Sequence, residues 1–152
     1  MAEAVFRRQI DEAGLTALVH IDSAGTGGWH AGDQADPRAL NTLHRNGYDA
    51  YSHRARQFDA SWFDDRDLVI ALDRSHRRTL TGWAPDEAAR AKIRLLRSFD
   101  HDPGDPDLDV PDPYYDGDEA FVHSLRLIEA GCAGLLDRLR DHLPHNENRD
   151  DG

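Results

Sequence analysis

The residues best suited to chemistry stand at the end of a polar stretch, where the sequence reads Pro111-Asp112-Pro113-Tyr114-Tyr115. The Asp112 carboxyl can donate or accept a proton, and the flat rings of Tyr114 and Tyr115 suit a flat substrate. Pro113 biases Asp112 toward an extended backbone and limits where its carboxyl can point. An Asp-Pro pair is also common in solvated turns, so these residues alone leave both interpretations open.

A nucleophile to accompany this acid is hard to find. The one cysteine, Cys132, lies far along the chain on the apolar face of a predicted helix, which makes it a poor candidate. Residues 25–28 (Gly-Thr-Gly-Gly) follow a predicted strand, but they lack the Lys-Ser/Thr of a P-loop and the third glycine of a dinucleotide site. We expect this run to be a turn.

The spacing of acidic and histidine residues does not favour a metal site. The acidic run from Asp100 to Asp109 is similar to a calcium loop, but Gly104 falls one place early and no glutamate closes the register. The nine histidines form no His-Glu-x-x-His motif and no Cys/His cluster. We therefore expect that the protein binds no metal and no cofactor. We expect the acidic run to be a solvated loop.

Length and composition indicate one domain, because 152 residues with 39% hydrophobic content suffice for one core. We place this domain at residues 1–141 and a polar tail at 142–152. The formal net charge of −11 argues against nucleic acid and anionic membranes as partners. The start contains Glu3 and no long apolar run, so neither a signal peptide nor a membrane anchor is predicted. A single cysteine agrees with a cytoplasmic location.

Apolar periodicity predicts helices that alternate with strands, and hence an α/β fold with a doubly wound parallel sheet between two layers of helices. In such folds ligands bind beyond the carboxyl ends of the strands. The loops at residues 23–30 and 100–115 each follow a predicted strand, so both could reach one crevice. Helices are predicted at residues 2–13, 36–47, 73–82 and 117–143, and strands at residues 15–21, 67–72 and 93–99.

Five separated motifs, in the same order, resemble those of the low-molecular-weight protein-tyrosine phosphatases. The resemblance extends from Met1 to about Leu139, nearly the whole chain. In that family a first strand and a phosphate-binding loop, with a Cys and an Arg that have five residues between them, precede the first of these motifs. The resemblance thus implies this fold without its usual first strand, in a chain truncated at its N-terminus. The motifs are residues 1–7 (Met-Ala-Glu-Ala-Val-Phe-Arg), 22–26 with Trp29-His30, 36–39 (Asp-Pro-Arg-Ala), 52–57 (Ser-His-Arg-Ala-Arg-Gln) and 112–115 (Asp-Pro-Tyr-Tyr).

The resemblance assigns Asp112 as the general acid, which protonates the leaving oxygen and later assists water, a role worth roughly 10²- to 10⁴-fold in rate. It places Tyr114 and Tyr115 along one side of an aryl phosphate and Trp29 across the mouth of the pocket.

Three further residues match supporting positions of the family. Ser23 and His53 correspond to residues that hydrogen-bond to the phosphate-binding loop and hold its conformation. Asp73 corresponds to an acidic residue near the pocket, and it is equally well placed to cap a helix. A histidine in a core is usually just a hydrogen-bonded polar group, so the part played by His53 depends on the loop itself.

The function implied by the resemblance is phosphomonoester hydrolysis through a cysteinyl-phosphate, with a phosphotyrosine protein or a small aryl phosphate as substrate. Because the nucleophile and the phosphate-binding arginine are absent from the 152 residues, we expect this chain to be inactive by itself. The alternative is a pseudo-phosphatase that binds a partner or phospho-ligand. An arsenate reductase is a weaker alternative, because it needs further redox cysteines. The sequence does not predict an oligomeric state.

Overall fold

The computed structural model describes residues 1–25, 37–48, 56–101, 107–111 and 117–142 of the chain. In these residues five α-helices, two short 3₁₀ helices and two strands follow one another. The elements are α1 (Ala2–Glu12), α2 (Pro37–Arg45), η1 (Ala60–Asp64), β1 (Val69–Ala71), α3 (Arg74–Trp83), α4 (Glu87–Ala91), β2 (Ile93–Leu95), η2 (Leu96–Phe99) and α5 (Asp118–His142).

The ends of the helices follow the local sequence. Gly14 and Gly47, just beyond α1 and α2, have φ angles of +74° and +86°, a conformation that only glycine adopts freely. The Asp73 carboxylate accepts a hydrogen bond from the His76 N–H at 2.7 Å and caps α3. Asp86 caps α4 in the same way through the Ala89 N–H at 2.8 Å. The capping role predicted for Asp73 is confirmed.

Strands β1 and β2 pair in parallel, with Val69 opposite Ile93 and Ala71 opposite Leu95. Successive side chains of a strand point to opposite faces, and here each face meets its own core. Val69 and Ala71 are buried with α3, α4 and η1, whereas Ile70 packs toward α1 and α5. Helices therefore cover both faces of a parallel sheet, and the predicted α/β class is confirmed.

The two cores share the sheet between them. The first core consists of Val5, Phe6, Ile10, Leu43, Leu96, Val110, Leu125, Ile128, Cys132 and Leu135. The second core consists of Phe63, Val69, Ala71, Leu80, Ala84, Ala89, Ile93 and Leu95.

Helix α5 approaches η2 closely through two glycines. A Cβ atom on Gly134 would lie 1.7 Å from the Phe99 carbonyl oxygen, and one on Gly131 would lie 2.8 Å from Leu96 Cγ. Only a residue without a side chain allows the backbones to approach so closely. We call this contact the glycine notch; it fixes η2 against α5.

The strand predicted at residues 15–21 is wrong. The chain turns there, because the N–H groups of Leu18 and Val19 donate back to the Leu15 carbonyl at 2.9 and 3.2 Å. Leu18 is 49% exposed. A short apolar run becomes a strand where a neighbour pairs with its backbone, and in the described part of the chain no strand lies beside this run.

The strand predicted at residues 93–99 is only half correct. β2 ends at Leu95, and the next four residues wind into η2. The Ser98 hydroxyl donates to the Leu95 carbonyl at 2.6 Å, and the glycine notch places α5 directly against this turn. Tertiary packing thus overrides the strand preference of the sequence.

Among the described residues no helix combines the length and apolar character that a membrane crossing would require.

Candidate active site

The carboxyl ends of the two strands meet the residues that precede Asp112. Leu72 follows β1, and its carbonyl accepts a hydrogen bond from the Val110 N–H at 2.8 Å. Val110 itself is buried in the first core. Since ligands of parallel sheets bind at this edge, the structure brings the approach to Asp112 to the position where a site is expected.

Residues 107–111, which we call the anchor segment, are held from several sides. Leu108 packs against the second core and Val110 belongs to the first, so the segment alternates between the cores as a strand would. The Asp109 N–H also donates to the Asp107 carboxylate at 3.0 Å, which stiffens the segment internally.

A buried arginine binds the backbone of the anchor segment. Arg97 lies in η2 and is 3% exposed. One guanidinium nitrogen of Arg97, Nη1, donates to the carbonyl oxygens of Asp107 at 2.5 Å and Asp109 at 3.0 Å. A charged donor makes stronger hydrogen bonds than a neutral one, so this contact is a firm tie between η2 and the anchor segment.

The N-terminus of α3 binds the same segment through Asp109. The Arg74 backbone N–H donates to Asp109 Oδ1 at 2.9 Å, and Arg74 Nε approaches Asp109 Oδ2 at 3.4 Å. The positive end of the helix dipole favours a carboxylate at this position. Asp73, the residue before Arg74, therefore lies beside the anchor segment.

The last residue of the anchor segment is tied to α5. The Ser124 hydroxyl donates to the Pro111 carbonyl at 2.9 Å, and Ser124 is 1% exposed. This bond fixes the peptide group that joins Pro111 to Asp112.

Ser23 lies in a second region of the molecule. Its carbonyl accepts a hydrogen bond from Arg56 at 3.4 Å. Two residues later Gly25 forms a short parallel bridge, with its N–H bonded to the Arg56 carbonyl and its carbonyl to the Phe58 N–H. Among the described residues, no hydrogen bond joins Ser23 to the anchor segment.

Two arginines bind Asp22, the residue before Ser23, and both also contact a tryptophan ring. Arg66 forms an ion pair with the Asp22 carboxylate, and Arg56 lies 3.5 Å from it. The same two guanidinium groups lie over the ring of Trp62, at 4.4 Å for Arg66 and 5.2 Å for Arg56. These partly exposed pairs contribute little stability individually, since water and salt screen them.

The remaining predicted site residues lie outside the described part of the chain. They are Asp112, Trp29, Tyr114, Tyr115 and His53.

Cys132 belongs to the core of the protein. It is 1% exposed, and burial raises the pKa of its thiol to about 12. A thiol with so high a pKa carries almost no thiolate at neutral pH, and the thiolate is the nucleophilic form. The structure therefore agrees with the sequence-based view that Cys132 is not a nucleophile.

Sequence reasoning missed Arg97 and Ser124. A charged residue inside the apolar run from Ile93 to Phe99 is a signal, because such a residue is rarely buried without hydrogen-bond partners. Ser124 carries a weaker signal, as a hydroxyl on the apolar face of α5.

Comparison with known proteins agrees with this architecture. The profile of the family described as low molecular weight phosphotyrosine protein phosphatase matches residues 1–145. A low molecular weight protein-tyrosine-phosphatase of Streptomyces coelicolor is 52% identical over 143 residues, covering 94% of this chain and 87% of that protein. The low molecular weight protein-tyrosine phosphatase A of Mycobacterium tuberculosis is 42% identical over 146 residues, covering 96% of this chain and 86% of that protein.

A solved structure shows the same likeness in three dimensions. The protein tyrosine phosphatase of Entamoeba histolytica, crystallised with Hepes in its active site, superposes with a TM-score of 0.86 at 32% identity. The match covers 93% of this chain and 88% of that one. On the family profile, the sequence relatives and the shared fold together, the chain belongs to the low molecular weight phosphotyrosine protein phosphatase family.

Proposed function

We propose that this chain carries the acid and substrate-binding parts of a site that hydrolyses phosphotyrosine and other aryl phosphates, with Asp112 as the general acid. The observation that carries the proposal is the hydrogen bond from the Val110 N–H to the Leu72 carbonyl at 2.8 Å. It joins the residues before Asp112 to the edge of the sheet where ligands of such folds bind. The names of the relatives, which are protein-tyrosine phosphatases, support the choice of substrate.

The proposed reaction has two steps. A cysteine thiolate attacks phosphorus, a sulfur–phosphorus bond forms, and the bond to the aryl oxygen breaks while Asp112 gives that oxygen a proton. Water then attacks phosphorus and loses a proton to the Asp112 carboxylate, so that phosphate and the thiolate are released. The acid is restored at the end of each cycle.

In this proposal the other predicted residues bind the substrate or support the phosphate-binding loop. Tyr114, Tyr115 and Trp29 contact the aryl ring, where aromatic pairing adds about 0.5–1.5 kcal/mol beyond burial. Ser23 and His53 hold the phosphate-binding loop by hydrogen bonds. Asp73 caps α3, and we keep a second role near the pocket open for it.

The thiolate itself is not expected within the 152 residues. Cys132 is the one cysteine of the sequence, and it is buried in the first core. We therefore propose that the nucleophile and the phosphate-binding arginine come from sequence outside these residues, and that the 152-residue protein alone does not turn over substrate.

The burial of Cys132 also favours a second candidate function, a pseudo-phosphatase that binds a phospho-ligand or partner without hydrolysing it. An arsenate reductase ranks lower, because it would need additional redox cysteines. For both the phosphatase and the pseudo-phosphatase we expect a cytoplasmic location, given the single cysteine. The net charge of −11 argues against nucleic acid and anionic membranes as partners.

Hydrolysis of p-nitrophenyl phosphate by two proteins tests the proposal. The 152-residue protein should release no nitrophenol. The same chain, joined at Met1 to a first strand and a Cys-x5-Arg phosphate-binding loop of the kind that the family resemblance implies, should release it. Cys132→Ser should not alter the second result, whereas replacing the cysteine of the added loop with serine should abolish it.

Two outcomes would contradict the proposal. Turnover by the 152-residue protein that disappears in Cys132→Ser would make Cys132 the nucleophile. An extended protein that folds and binds inorganic phosphate without turnover would favour the pseudo-phosphatase.

A further inference from the structure

Arg97 is the most deeply buried charged residue of the described chain, at 3% exposure. A buried cation needs hydrogen-bond partners, because it has lost its water. Two of these partners are backbone carbonyls in the anchor segment, those of Asp107 and Asp109. The guanidinium thus fixes two peptide groups that lie three and five residues before Asp112.

The position of Arg97 is itself fixed by the glycine notch. The turn that carries Arg97 lies against α5, where Gly134 faces the Phe99 carbonyl and Gly131 faces Leu96. Helix α5 also supplies Ser124, which holds the Pro111 carbonyl at 2.9 Å. The same helix therefore holds both ends of the anchor segment, one directly and one through η2.

The peptide bond between Pro111 and Asp112 transmits the constraint on the anchor segment to Asp112. The Pro111 carbonyl and the Asp112 nitrogen belong to one planar peptide group, so the bond from Ser124 fixes the plane that contains the Asp112 nitrogen. Pro113 restricts the backbone of Asp112 from the other side.

We propose that Arg97 is a positioning residue for the general acid: it holds the Asp107 and Asp109 carbonyls and thereby sets the direction in which the chain enters Asp112. The inference rests on the proposed role of Asp112. A general acid must lie within hydrogen-bond reach of the leaving oxygen, and an error of about 1 Å costs on the order of 10²-fold in rate. Loss of Arg97 should therefore weaken proton donation more than substrate binding.

The test compares Arg97→Met with Arg94→Met in the extended protein described above. Arg94 is three residues away in β2, is exposed, and lies over the Phe99 ring at 5.2 Å, so it is the matched control. The measurement is kcat and KM for aryl phosphates whose leaving phenols differ in pKa, with Asp112→Asn measured in parallel.

We expect Arg97→Met to lower kcat for phenyl phosphate at least about 10-fold more than for p-nitrophenyl phosphate, with KM nearly unchanged, because poor leaving groups depend on the acid. Asp112→Asn should show the same pattern more strongly, and Arg94→Met should show neither loss. Arg97→Lys, which keeps a cation and a donor, should recover part of the phenyl phosphate activity.

Each result bears on a different claim. A selective loss in Asp112→Asn together with an equal loss for all substrates in Arg97→Met would make Arg97 a purely structural residue and overturn the inference. Equal losses in Asp112→Asn would overturn the acid assignment instead. If Arg97→Met does not fold, Arg97→Lys carries the same comparison.

A second measurement uses the 152-residue protein and does not depend on activity. Amide hydrogen exchange should be faster at Val110 in Arg97→Lys than in the unchanged protein, whereas the amides of α3 should keep their protection. Unchanged exchange at Val110 would mean that Arg97 does not hold the anchor segment, and the inference would fail.

Discussion

The anchor segment and the segment at residues 15–25 both lead to predicted site residues, but they are held differently. The anchor segment, residues 107–111, has bonds to η2, α3, α5 and the residue after β1. Residues 15–25 have one parallel bridge at Gly25, partly exposed ion pairs at Asp22 and a hydrogen bond from Arg7 to the Ile21 carbonyl. Both stretches contain apolar residues, so hydrophobic content does not explain the difference.

The difference lies in the neighbours. The Val110 N–H donates to the Leu72 carbonyl just after β1, whereas no strand lies beside Val19 and Ile21 among the described residues. Backbone polar groups need partners, and a chain becomes ordered where such partners are already in place. The comparison predicts that mutations around the anchor segment cost much more stability than equivalent mutations around residues 15–25.

The largest effect is expected at the glycine notch. Gly134→Ala would place a Cβ atom 1.7 Å from the Phe99 carbonyl, so η2 or α5 must move. We expect the free energy of unfolding to fall by about 3 kcal/mol or more, as measured by urea denaturation. Gly82→Ala, in α3 with no atom within 4 Å of the added Cβ, is the control and should be neutral or stabilising by up to about 1 kcal/mol. Equal effects of the two changes would mean that the notch does not fix η2.

A matched pair of serines tests the comparison directly. Ser124→Ala leaves the Pro111 carbonyl without its donor in a buried place, and we expect a loss of about 1–2 kcal/mol in unfolding free energy. Ser23→Ala, in the half-buried and weakly held segment, should change stability by no more than about 0.5 kcal/mol. If Ser23→Ala lowered the free energy of unfolding more than Ser124→Ala, the anchor segment would not be the more firmly held of the two segments.

The smallest effect is expected from Tyr48, which borders the same shallow groove as Val19 and Ile21. Burial, followed by the hydrogen bond that the hydroxyl donates to Glu129 at 2.6 Å, raises the pKa of Tyr48 to about 12. Tyrosine in an unfolded chain titrates near 10. The stability that the protonated Tyr48 hydroxyl contributes to the folded state is therefore fully present below about pH 10. It is lost as the pH rises toward 12.

Urea denaturation at several alkaline pH values, with Tyr48→Phe as the reference, measures this effect. The stability difference between the two proteins should shrink above about pH 10. A constant difference across that range would show that the Tyr48 hydroxyl does not titrate with a raised pKa.

The sequence predicted α1, α2, α3 and α5, although not the short α4, because the signals of these helices are local. Asp73 as a cap, Gly14 and Gly47 as helix ends, and the apolar stripe of α5 all depend on residues within a few positions of each other. The strand at residues 15–21 was predicted wrongly because a strand depends on a partner that no local pattern reports.

The candidate site shows the same difference between local and non-local sequence signals. The sequence predicted that the loops at residues 23–30 and 100–115 share one edge, whereas the described contact at that edge joins the anchor segment to the start of α3 through Arg74 and Asp109. It did not reveal that Arg97 and Ser124 hold that segment, because their partners are backbone carbonyls 10 to 13 residues away, and a backbone carbonyl carries no sequence signature.

The glycine notch also constrains how this protein can evolve. Proteins stand only a little above the stability they need, so a lineage can accept new side chains around its substrate only while it keeps some margin. A codon change at Gly134 would remove much of that margin in a single step. New side chains elsewhere in the protein are therefore easier to accept as long as the two small positions on α5 stay as they are.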